Sequence, residues 1–71
     1  MNERLQRFAR EEILKDLEQC TQEQVYIFRA MYAPQLKQLN IVDHINNIPA
    51  ENLSWAMEQT RNTVLKNKGE R

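Results

Sequence analysis

Apolar side chains recur at helical spacing along most of this chain, and the polar positions between them are ordered too. Leu5, Ala9, Ile13 and Leu17 fall four residues apart, with Phe8 and Cys20 widening the stripe. On the opposite side Glu3, Arg7, Glu11 and Lys15 alternate in sign at the same spacing. The two patterns predict a first helix over 2–19, apolar on one face and wet on the other. Each acid placed four residues before a base adds about 0.2–0.5 kcal/mol to such a helix. Glu12 and Asp16 fall near the edge of the apolar stripe. Either the helix bends there, or a cation from another segment meets them.

The stretch Val25 to Ala33, VYIFRAMYA, is the most apolar in the chain and carries one charge, Arg29. Val25, Phe28, Met31 and Tyr32 share one broad face, Ile27 widens it, and Tyr26 lies on the far side. A helix apolar nearly all round asks for neighbours nearly all round, which predicts a central helix over 22–33. Thr21 to Gln24 has the form of a capping box opening it, and Pro34 disfavours helical geometry at Ala33. Leu36 and Leu39 are expected to plug the core from the connector that follows. Asn40 with Asp43 resembles a second cap, opening a short helix over 41–47 in which Ile45 and Ile48 join either Val42 or Ile41. Asn46 and Asn47 end it. Pro49 reads as the first-turn residue of a last helix over 49–67. Leu53, Met57, Thr60 and Val64 form its inner stripe, Ala56 lies beside it, and Gly69 closes it.

The chain therefore reads as an all-α fold, a small bundle of four helices with the third short, in one domain spanning 1–71. Its expected core is Leu5, Phe8, Ala9, Ile13, Leu17, Val25, Phe28, Met31, Tyr32, Leu36, Leu39, Ile45, Leu53, Met57 and Val64. Seventy-one residues are few for such a core, which at this size seldom supplies more than about 3–5 kcal/mol. Cys20 is the only cysteine and His44 the only histidine, so neither an internal disulfide nor a Cys/His zinc site can staple it. Association, with itself or with another protein, is the remedy left open.

Charge narrows the functions. Ten basic and ten acidic residues cancel, a poor footprint for a nucleic-acid binder. No apolar run approaches the roughly 20 residues of a membrane span, and the polar start MNERLQRFAR is unlike a signal peptide. A soluble cytoplasmic protein is expected. Catalytic chemistry is thin: Ser54 and His44, or Cys20 and His44, are lone residues without a motif, and one glycine cannot build a phosphate loop. His44 reads as a partly exposed helix residue and Cys20 as a small buried one. No enzyme, cofactor or metal is expected. The Asn52-Leu53-Ser54 sequon falls by chance in a helix.

Two surface features compete for a function. Trp55 points some 160° from Leu53, among Asn52, Gln59 and Asn62. It either packs on a neighbouring segment or serves as a protein-binding anchor, since an exposed aromatic ringed by uncharged polar groups has the look of a hot spot. Tyr26, turned from the main face of its own helix, is assigned to the same patch. Against this, Arg4, Arg7 and Arg10 line one side of the first helix and could contact phosphates, as in a small dimeric DNA-binding regulator. Glu3 and Glu11 neutralise that stripe, and IVDHINN, in the place of a recognition helix, has no Arg or Lys.

The stretch FRAMYAPQLKQLNIVDHINNIPAENLSWAMEQTRNTVLK resembles a pattern found in small uncharacterised proteins of bacteriophages and bacterial mobile elements. In it an aromatic-Met-Tyr segment precedes a short helix, then Pro with acidic residues, then a Leu-x-Trp-Ala-Met helix. The resemblance covers Phe28 to about Lys66 and assigns no functional residues. It implies a phage or prophage accessory factor in a bacterial cytoplasm that binds a host protein. The expectation is thus a non-enzymatic protein–protein interaction protein, self-associating, with a dimeric regulator as the alternative.

Overall fold

The computed structural model describes residues 2–31 and 38–69. Their regular structure is entirely helical: α1 (Glu3–Leu17), α2 (Gln22–Met31), the short α3 (Ile41–Asn46) and α4 (Leu53–Gly69). Tyr32, Leu36 and the expected end of the second helix near residue 33 lie outside the described residues.

Side-chain caps set the helix starts. The Asn2 carboxamide oxygen accepts from the Leu5 amide at 2.8 Å. At α2 the capping box forms in both directions: the Thr21 hydroxyl accepts from the Gln24 amide at 3.1 Å, and the Gln24 side chain accepts from the Thr21 amide at 2.9 Å. Asn40 opens α3 by accepting from the Asp43 amide at 2.8 Å. Each of these satisfies a donor that the first helical turn leaves open. The last helix begins later than Pro49. That residue is extended, with ψ 142°, and the chain passes through a 3₁₀ turn, Ala50–Asn52, before α4 starts at Leu53. Gly69 is itself the last helical residue rather than the stop beyond it.

The core lies between α1 and α4, the principal helix pair, with α3 closing on α1. Ile13, Ile45, Ile48, Leu53 and Ala56 are enclosed, Ala9, Leu17 and Phe28 complete the cluster, and Val64 is buried apart from it. Val25 and Met57 pack against the cluster half-buried. Asp16 and Glu12 sit level with Arg61, and Gln19 shares a cleft with Lys68, so α1 and α4 run in the same direction. Gln24 pairs with Asn67 through both amide groups, at 2.9 and 3.1 Å, and Met31 shares a groove with Gln59. Helix α2 therefore runs opposite to α4.

Several expected positions move. The apolar α2 is not central: Phe28 is its only fully buried residue, while Ile27 and Met31 are 49% and 52% exposed. Leu5, Phe8 and Leu39 are exposed as well. The i,i+4 stripe explains the α1 residues. It drifts about 40° per step, so the face centred on Ile13 leaves Phe8 well round the helix, and Leu5 lies nearer the helix end. His44, expected to be partly exposed, is fully enclosed, with the Phe28 ring tilted over it at 6.4 Å. In α3 it is Ile41 rather than Val42 that joins Ile45 and Ile48 in packing, and Val42 faces outward.

Candidate functional site

A largely apolar groove of about 230 Å³ lies between α2 and α4. Leu17, Phe28 and Thr60 form its buried floor, and Ile27 and Met31 stand along the α2 wall. Gln24, Gln59 and Thr63 make a polar rim in which Lys66 is the one charge. Two contacts position α2 beside the groove. The Gln24–Asn67 amide pair fixes one end. Near the other, the Arg29 guanidinium donates to the Leu39 carbonyl just ahead of α3. Thr60 is tolerated on the floor because its hydroxyl donates to the Met57 carbonyl at 3.0 Å.

Of the residues expected to bind protein, Gln59 lines this groove. Trp55, 52% exposed, stands one turn before Gln59 on the outer side of α4, so its ring is a surface group rather than a core one. Asn52 is half-buried and Asn62 exposed. Tyr26 is 62% exposed but is not among the groove-lining residues. Met31, expected in the core, and Ile27, expected to widen the same apolar face, instead contribute to the α2 wall. The available signal was length: the ten residues of α2 cannot all be covered by so short a chain.

The arginine stripe divides. Arg4 and Arg7 are exposed, whereas Arg10 is half-buried, and its guanidinium donates to the Ile45 carbonyl and, at 3.1 Å, to that of Ile48. It closes the C-terminal end of α3, where helix carbonyls lack partners. Arg10 is thereby committed inside the fold and is a poor phosphate ligand.

Glu12 and Asp16 find their cation in Arg61 of α4, which donates to Asp16 at 3.1 Å and to Glu12 at 3.0 Å. Lys15 also pairs with Glu12, at 3.2 Å, rather than with Glu11. The hydrogen bond from Lys15 is the largest influence holding the Glu12 carboxyl below its ordinary value, with Arg61 adding to it against desolvation. The hydrogen bond to Asp16 pushes Arg61 up. The Cys20 thiol is raised by burial and then by Asp16, and it donates to the Asp16 carbonyl at 3.3 Å. A thiol so placed is a weak nucleophile.

Among the described residues no group of three or more His, Cys, Asp or Glu could hold a metal. No helix there is long and apolar enough to cross a membrane. Comparison with protein-family models, with curated proteins and with solved structures gives no match.

Proposed function

We propose that this chain is a non-enzymatic protein–protein interaction protein that receives a helix of a partner in the α2–α4 groove, with Trp55 at its margin. The observation that carries this reading is the uncovered side of α2: Ile27 and Met31 stand half-exposed beside an apolar floor with an almost uncharged rim. An amphipathic helix laid in such a groove buries its apolar anchors while the amide and hydroxyl rim meets its backbone and polar edge. An enclosed imidazole and a thiol raised by burial support the absence of catalysis. The resemblance over residues 28–66 points to a bacterial host protein as partner and to a phage or prophage accessory role in the cytoplasm. Self-association belongs to the same proposal.

The test compares wild type, Ile27→Asp and Trp55→Ala, each checked by circular dichroism, in affinity capture from a bacterial lysate read by mass spectrometry. Folded variants that lose the same captured protein support the reading. Capture unchanged in both variants overturns it. The regulator alternative has lost Arg10 to the fold. A duplex-binding titration from low salt upward is expected to show no binding, whereas affinity falling steeply with salt would reinstate it.

A further inference from the structure

The outer face of α1 carries a charge pattern with an internal symmetry, although within one molecule Lys15 also reaches Glu12, at 3.2 Å. Glu3, Arg7, Glu11 and Lys15 are all exposed and read minus, plus, minus, plus at four-residue spacing. Reversed in direction and inverted in sign, that series is itself. Two copies of α1 laid antiparallel therefore oppose Glu3 to Lys15 and Arg7 to Glu11, each twice, with every pair of opposite sign. We propose that this face is the contact between two copies of the chain, related by a two-fold axis near Ala9. The inference builds on the self-associating part of the function proposed above, and none of its residues lines the α2–α4 groove.

The pattern specifies register as well as attraction. Rungs stand about 6 Å apart along the helix. A slip of one rung sets Glu3 against Glu11 and Arg7 against Arg7. Parallel copies in register set every charge against its like. Sign complementarity thus selects one antiparallel arrangement, while like-charge contacts exclude its nearest competitors. Rows four residues apart align across two helices that cross at about −50°, a common packing angle.

Charges on the surface contribute little affinity alone, and the apolar part comes from beside them. Glu3, Arg7 and Glu11 form one wall of a cleft of about 410 Å³ between α1 and α3, with Leu14, Val42 and Ile45 as its apolar lining. Val42 is 46% exposed there. The same two-fold places the clefts of both copies on one side of the helix pair, where Val42 and Leu14 of each copy are covered. Phe8, one residue from the axis and 53% exposed, meets its symmetry mate on the other side.

The test is sedimentation of two charge reversals, separately and mixed. Arg7→Glu sets an introduced acid against Glu11 of the other copy, and Glu11→Arg sets an introduced base against Arg7. Each variant alone should therefore dimerise about tenfold or more weakly than wild type. In an equal mixture the opposing pairs are again opposite in sign, and the dimer should return. A folding defect would not be repaired by mixing, and circular dichroism of each variant checks that directly. A wild-type chain that stays monomeric at several hundred micromolar overturns the proposal. So do single variants that dimerise like wild type, and a mixture that stays monomeric. Each of those results leaves the groove reading, tested through Ile27 and Trp55, standing or falling on its own.

Discussion

Arg61 joins two carboxylates of unequal burial, and the inequality decides what its loss costs. Asp16 is 3% exposed, so removing Arg61 leaves a buried charge without its ion pair, the expensive way to break a salt bridge. Urea unfolding should find Arg61→Ala more destabilising than Glu12→Ala, because Glu12→Ala leaves the buried Asp16 with its Arg61 partner. Glu12 also sets a pH dependence. Its carboxyl lies below the ordinary value of 4.5, so the folded chain binds fewer protons there than the unfolded one. The stability it adds is complete above about pH 4.5 and is lost as the pH falls through its lowered value. In Lys15→Ala that acid-side loss should shrink, measured as the unfolding midpoint as the pH is lowered below 4.5. Cys20 gives an independent check on burial: alkylation should be slower than in the urea-unfolded chain, with its half-maximal pH above the ordinary 9.0.

The helices divide by how they are held. Local hydrogen bonds start α1, α2 and α3; those of α2 and α3 were legible because Thr21 with Gln24, and Asn40, stand at the required spacing from an amide, while the Asn2 cap of α1 was not read from the sequence. Asn40→Ala should cost about 1 kcal/mol, read from the thermal midpoint. The end of α3 is held from a distance, by Arg10 of α1 on the Ile45 and Ile48 carbonyls, a contact that no spacing within α3 could reveal. Arg10→Ala should therefore destabilise the fold although its charge is not otherwise used. Phe8→Ala, on an uncovered face, should change the stability of the isolated chain by less than about 0.5 kcal/mol. The late start of α4 was not legible because Pro at a first helical position and Pro before a 3₁₀ turn look alike until the ψ angle is known.

At the scale of the molecule, thinness governs. The Cα atoms span 15 Å in the narrowest direction, room for two helix layers at the usual separation of about 8–10 Å. Two layers enclose one seam, and α1 with α4 occupies it. That is why α2, the most apolar stretch, ends outside, and why Leu5, Phe8, Ile27, Met31 and Trp55 all reach solvent. The enclosed seam is correspondingly sensitive. Leu53 is 0% exposed, and Leu53→Ala should cost about 2–5 kcal/mol, comparable with the roughly 3–5 kcal/mol a core of this size supplies. Circular dichroism at about 25 °C should show that variant largely unfolded.

Sequence by itself determined the helical class, the order of the described helices, the caps of α2 and α3, and that Glu12 and Asp16 answer either to a bend in α1 or to a cation from another segment. All of these follow from spacing within one turn or from local sign and polarity. Tertiary structure decided which apolar faces are covered, that Arg61 is the cation, that Arg10 closes α3, and that His44 lies under Phe28. Burial is a competition among faces for a limited interior, and periodicity ranks the residues within each helix but not the helices against one another.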